Sequence, residues 1–203
     1  MIKIRKFFVT AAVIGVGAFG LAGTASAAGA HESRDSRIAA KTTIVQVAAD
    51  ANAATGAFTY LLAAVGCLNE SDRDAVLDAL SGDDPLTLLA PTDAAFVALQ
   101  TALGIESPAP EKTCALGPAT VANVLTYHVM PGRRFIGSIG GLFNNYSPKQ
   151  FRMLNTSHIA TNPDLTITDV AGQSVGVVPG FVNIRASNGV IHVVDTVLLP
   201  FTP

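Results

Sequence analysis

Apolar residues recur at helical spacing through the first half of the chain. Ile44, Val47 and Ala48 share one face, and Phe58, Leu61, Leu62 and Val65 share another before Gly66 ends the run. Ser71 stands as the N-cap of a helix over 72–80, whose first-turn acids suit the helix dipole. Residues 87–90 read as a short buried strand. Thr92 or Asp93 then caps a helix that carries Phe96 and Leu99 on one face. Pro118 fits the first helical position ahead of Val121, Val124, Leu125 and His128.

The second half changes period. Strand candidates run over 151–154, 165–168, 174–178, 181–186 and 190–199, punctuated by Gly, Asn, Asp and Pro. Asn188-Gly189 is the strongest short hairpin signal in the chain, because both residues tolerate the positive φ of a type I′ turn. The β-branched run after it ends at Pro200, which cannot donate to a ladder. His192 shares one face of that strand with Val190 and Val194, opposite Ile191, Val193 and Val197, so both faces read as buried. Helices first and strands later predict an α+β domain. No internal repeat is present, and the length after the N-terminal segment suits a single domain with a real core.

Three segments carry a family resemblance in order. Residues 87–99 (TLLAPTDAAFVAL) follow the form TVFAPTDxAFxxL, residues 125–132 (LTYHVMPG) follow LxYHVxPG, and residues 186–200 (ASNGVIHVVDTVLLP) close the set. The chain thereby resembles the fasciclin (FAS1) domain family over about residues 44–200. The resemblance implies a wedge-like core of two β-sheets with helices packed on one side. It also implies an extracellular setting, a role in adhesion or surface interaction, and no shared catalytic apparatus. Its signature residues here are Thr92, Asp93, Phe96, Tyr127, His128, Asn188, Gly189, His192 and Asp195. The family's pairing of its first and last signatures implies a tie from Asp93 to the final hairpin near Asn188. The Tyr-His segment, linked to adhesion in the family, is matched by Tyr127-His128.

The N-terminus sets the expected compartment. Lys3, Arg5 and Lys6 precede an apolar stretch over 7–22, and Ala25-Ser26-Ala27 offers a small-x-small cleavage site. This is the pattern of a secretory signal peptide over 1–27, followed by a polar leader over 28–41 and one domain over 42–203. The stretch is close to spanning length, but its Gly- and Ala-rich end favours cleavage over anchoring. The expectation is a secreted or extracellular chain (cell surface or periplasm if bacterial) that does not span a membrane. Gly15 to Gly20 matches a dinucleotide fingerprint literally, yet it lies inside the signal segment with no βαβ context.

Cleavage removes three of the 13 basic residues and none of the 15 acidic ones, which leaves a formal balance of −5. An acidic domain argues against nonspecific nucleic-acid binding, which needs phosphate neutralisation. Arg133-Arg134 is the one tight basic pair, with Lys149 and Arg152 able to join it in space. Outside the cytosol, two cysteines favour a Cys67–Cys114 disulfide. A metal reading of them fails, since there is no Cys-x-x-Cys and no adjacent His.

The remaining chemistry reads as structural. Thr92-Asp93 reads as a helix cap rather than a cleft acid. His128, on an apolar face, reads as a hydrogen-bonded core histidine. His192 has either Asp195 or a backbone carbonyl as partner. His128, His158 and His192 lack ligand spacing, so no metal and no cofactor are expected. Neither a Gly-x-Ser-x-Gly elbow nor a phosphate loop occurs. Asn69, Asn145 and Asn155 begin glycosylation sequons by pattern.

Residues 137–150 depart from the rest: they are Gly-rich, yet carry Leu142, Phe143 and Tyr146. They read either as a contact surface or as a loop packing onto its own sheet. The leading expectation is a non-catalytic binding module whose partner is a protein, a glycan or another cell-envelope component, strengthened by self-association. The alternative is a carrier of a small apolar ligand such as a carotenoid or lipid, with Met130, Ile136, Leu142, Phe143 and Tyr146 as its groove.

Overall fold

The computed structural model describes residues 42–139 and 149–202. The expected signal segment and leader, and the contact candidates Leu142, Phe143 and Tyr146, lie outside the described residues.

Five helices and a 3-10 helix form one layer. Helix α1 (Ile44–Thr55) opens with a capping box: Thr43 accepts from the Gln46 amide, and the Gln46 side chain accepts from the Thr43 amide. Helix α2 is Thr59–Gly66 and α3 is Glu70–Ser81. The α3 cap is Asn69, whose side chain accepts from the Asp72 amide, and not Ser71 as the sequence predicts. Polar residues stand in a row here, and the first of them takes the extended cap conformation, so the helix starts two residues early. Helix α4 (Asp93–Ala102) is capped by Thr92, the 3-10 helix spans Pro110–Leu116, and α5 is Pro118–Tyr127 with Pro at its start. A disulfide joins Cys67, at the end of α2, to Cys114 of the 3-10 helix, with Cα atoms 5.0 Å apart.

Two four-stranded sheets complete the fold. The first comprises β1 (Leu86–Pro91), β2 (Val129–Pro131), β7 (Ile184–Ala186) and β8 (Gly189–Val194), in the order β2-β1-β8-β7. The second runs β3 (Lys149–Arg152), β4 (His158–Thr161), β5 (Ile167–Thr168) and β6 (Ser174–Val175) as an antiparallel meander. A one-turn helix α6 (Ile136–Ile139) stands between β2 and β3. Strands β1 and β8 pair in parallel from Leu86–Gly189 to Pro91–Val194 and are buried along their whole length, as the apolar run in the last segment predicts.

These two central strands divide the core. Leu86, Leu88, Ala90, Ile191 and Val193 face the helices, while Leu89 and Val194 join Tyr127, Met130, Met153, Ile159, Ile167 and Val175 between the sheets. The expected wedge of two sheets with helices on one side is therefore the architecture observed.

The final hairpin forms, but its turn is different from the one the sequence predicts. Ala186 pairs with Gly189, so the two loop residues are Ser187 and Asn188, and neither has positive φ. Gly189 is the first strand residue. A Cβ there would collide with the Leu86 carbonyl, so the glycine serves close strand packing instead of turn geometry.

Candidate functional site

The signature residues gather into three internal locks. Asn188, buried in the hairpin loop, accepts from the Ile44 amide at the start of α1 (2.9 Å) and donates to the carbonyls of Leu80 (2.7 Å) and Gly82 (2.9 Å) at the end of α3. Its own carbonyl accepts from the Leu86 amide at the head of β1. One amide side chain thus satisfies groups that two helix ends leave unpaired.

The expected tie from Asp93 to this hairpin is not made. Asp93 Oδ1 instead accepts from the Tyr60 amide (2.9 Å), and the Asp93 amide donates to the Ala57 carbonyl (3.0 Å). Asp93 therefore caps α2, a neighbouring helix, while Thr92 Oγ1 caps its own helix at the Ala95 amide. Phe96, one turn on, lies over Tyr60 with ring centroids 5.9 Å apart.

Tyr127 and His128 form the second lock, at the C-terminus of α5. The Tyr127 side chain is fully buried between the sheets; its hydroxyl donates to the His158 carbonyl (2.9 Å) and accepts from the Val170 amide (3.0 Å). Burial holds this phenol above its ordinary pKa. His128 Nε2 accepts from the Leu198 amide (3.0 Å), which fixes the proton on Nδ1, donated to the Val124 carbonyl (2.7 Å). Burial pushes the His128 pKa down to about 4, so the ring is neutral at physiological pH. The next amide, that of Leu199, donates to the buried Asp169 (2.9 Å). His128 and Asp169 together pin the segment that follows β8, while Tyr127 ties β4 to the turn at Val170.

His192 makes the third lock with the opposite tautomer. Its Nδ1 accepts from the Asn183 amide (3.2 Å), so Nε2 donates to the Arg134 carbonyl (2.8 Å). Of the two partners the sequence leaves open, the backbone carbonyl is the one found. Asp195 instead accepts from the Gly176 amide (2.8 Å) and from Thr196 Oγ1 (2.9 Å). Burial lowers the His192 pKa as well.

Of the groove candidates that are described, Met130 is buried between the sheets and presents nothing to a partner, because β2 turns that side chain into the core. Ile136 is half-buried, with its amide held by Asn183 Oδ1. An apolar cavity of about 70 Å³ lies elsewhere, among α1, α2 and α3 above β1, lined by residues that include Ile44, Ala48, Leu61, Val76, Leu80 and Leu88. The sequence gives no sign of it, since the same residues fit an ordinary helix-to-sheet interface. Among the described residues, no three His, Cys, Asp or Glu side chains converge as a metal site would require, and no helix is long and apolar enough to cross a membrane.

The result is a two-sheet α+β module in which Tyr127, His128, Asn188 and His192 turn inward to hold backbone groups. The chain belongs to the fasciclin domain family, whose pattern it matches over residues 64–200. It is similar to two proteins of Synechocystis sp. One, Protein sll1483, is 30% identical over 160 residues, covering 78% of this chain and 73% of that protein. The other, Uncharacterized protein sll1735, is 28% identical over 146 residues, covering 70% of this chain and 89% of that one. Among solved structures, a FAS1 domain pair from the insect cell adhesion molecule Fasciclin I aligns with a TM-score of 0.47 at 21% identity, over 62% of this chain and 40% of that one.

Proposed function

We propose that this chain is a secreted, non-catalytic binding module that acts at the cell surface or in the extracellular space. The observation that carries the reading is the inward use of the family signature. Tyr127, His128, Asn188 and His192 are all buried and fully engaged with backbone groups, so they serve shape and not turnover. Contact then falls to exposed loops on a stiff frame. The disulfide suits an oxidising compartment, and the N-terminal 27 residues supply the route to it. Partner classes that fit are a protein, a glycan or another envelope component, and clustering of copies would strengthen a single weak site. Labelled exported protein should bind intact cells of its source saturably and be displaced by unlabelled protein. Absence of saturable binding to cells and to isolated envelopes would overturn this.

A second reading, a carrier of a small apolar ligand, has one observation in its favour: the apolar cavity among α1, α2 and α3. At about 70 Å³ it is smaller than the roughly 150 Å³ that admits benzene, so a carotenoid or lipid would need the helices to part. Native mass and visible absorption of the exported protein, before and after solvent extraction, decide this reading. A removable mass or colour supports it, and a clean protein ends it.

A further inference from the structure

Charge is divided along the chain. Among the described residues, carboxylates crowd the helical half from Asp50 to Glu111, where Arg73 and Lys112 are the cations. After α5 the balance reverses. Arg133, Arg134, Lys149, Arg152 and Arg185 follow, with Asp164, Asp169 and Asp195 as the acids. Asp169 is buried under the Gln173 and Leu199 amides, and Asp195 is held by the Gly176 amide. Asp164 is taken up in the β4–β5 turn by the Thr166 amide and hydroxyl. None of these acids forms an ion pair with the cations among the described residues.

Four of the cations are brought to one face by the segment that links β2 to α6. Arg133 donates to the Ser187 carbonyl in the final hairpin (2.9 Å), and the Arg134 carbonyl is held by His192 (2.8 Å). The Arg134 guanidinium lies over the Phe151 ring of β3 at 5.8 Å, and that of Arg185, on β7, lies over Phe135 at 5.5 Å. Lys149 shares the Phe151 side of β3 and reaches the Ser138 carbonyl at 3.4 Å, while Arg152 points to the opposite side. Arg133, Arg134, Lys149 and Arg185 are all exposed.

We propose that this basic and aromatic face binds an acidic polysaccharide. The inference deepens the binding role above and rests on it. Each of these two guanidiniums lies within cation–π reach of a ring, and its N–H groups make no hydrogen bond among the described residues, so they are open to the bidentate pairing that carboxylates and sulfates favour. Phe135 is exposed and Phe151 half-buried beside these cations, which leaves apolar surface for the C–H groups of a sugar. A bilayer fits less well, because the rings that would insert are covered by charge. A nucleic acid fits less well too, because its dense charge would meet the acidic helical half. A folded protein partner fits less well, because a protein interface is organised around a desolvated centre and four exposed cations stand across this face.

The test uses the exported protein at low salt with four probes: polygalacturonate, dextran sulfate, neutral dextran, and vesicles of phosphatidylglycerol in phosphatidylcholine. At least one polyanion should bind with an affinity that falls as salt rises, while neutral dextran does not bind. The double variant Arg134→Ala, Arg185→Ala should weaken that binding at least tenfold with an unchanged melting curve, and Arg73→Ala, Lys112→Ala should leave it intact. Failure of both polyanions, or polyanion binding indifferent to the Arg134 and Arg185 changes, overturns the inference. Vesicle binding in place of polyanion binding assigns the face to membranes and overturns it as well. If intact cells still bind saturably in any of these cases, the binding role stands and this assignment alone falls.

Discussion

The two faces of the central sheet are packed in different ways. Toward the helices the core is mostly apolar, with His128, Gln100 and Thr113 as its buried polar side chains, ties from Asn188, Asp93 and the disulfide, and a cavity of about 70 Å³. Toward the second sheet, polar side chains pass through the layer itself. Tyr127 reaches the His158 carbonyl, Thr161 reaches the Ile139 carbonyl, and His192 bridges Asn183 to Arg134. Apolar contact is non-directional, so helices resting on a sheet can leave a void. Short strands bury little area each, and directional bonds to particular backbone groups fix where the second sheet docks.

The largest expected effect comes from acid. His128 and His192 are both held neutral by burial, while the unfolded chain protonates them below about pH 6.5. With the folded pKa of His128 depressed to about 4, stability is fully present above about pH 6.5 and is lost as the pH falls through that window. The linkage from His128 alone amounts to about 2–3 kcal/mol at pH 4.5. Melting curves from pH 7.5 to 4.5 should show this decline, and His128→Gln should flatten it; an unchanged slope would mean that the ring titrates normally.

Next comes Tyr127→Phe, which leaves the His158 carbonyl and the Val170 amide without their partner. It should cost about 2 kcal/mol, read by urea denaturation. Hydrogen exchange should quicken first in β4 and in the turn around Val170, with the helices unaffected. Uniform quickening would mean that the two faces open together.

The smallest effect tests the void. Ala48→Leu adds apolar volume into the cavity among α1, α2 and α3 and should gain up to about 1 kcal/mol. A loss of more than that would show the helix face to be as tightly fitted as the sheet face.

Much of this was legible in the residues. The helical periods, the Thr92 cap, the paired cysteines and the doubly buried last strand all depend on local pattern or simple counting, and each is found. What the sequence hid was partnership at a distance. Asp93 is spaced to cap its own helix, and only the fold shows that it caps α2. Asn188-Gly189 fits a type I′ turn locally, yet Gly189 is required by the Leu86 carbonyl, far away in the chain. Met130 reads as an adaptable contact residue and lies in the core, because β2 pairs with β1 and turns it inward. Strand β4 (His158–Thr161) carries too few apolar residues to announce itself and exists through its ladders to β3 and β5. The basic face is visible in sequence as Arg133-Arg134 with Lys149; Arg152, also a candidate there, lies on the opposite side of β3, and Arg185 joins through the hairpin.

The parallel pairing of β1 with β8 has a consequence for how the molecule is made. Residue 86 finds its neighbour at residue 189, so the centre of the sheet closes only once almost all of the described chain is available. Until then β1 has β2 on one side and an open edge on the other, and Asn188 has not yet reached the helix ends that it joins. Such late, long-range closure makes folding slow. Under the proposed secreted role that delay becomes an asset, because an emerging polypeptide stays loose until its last strand has crossed.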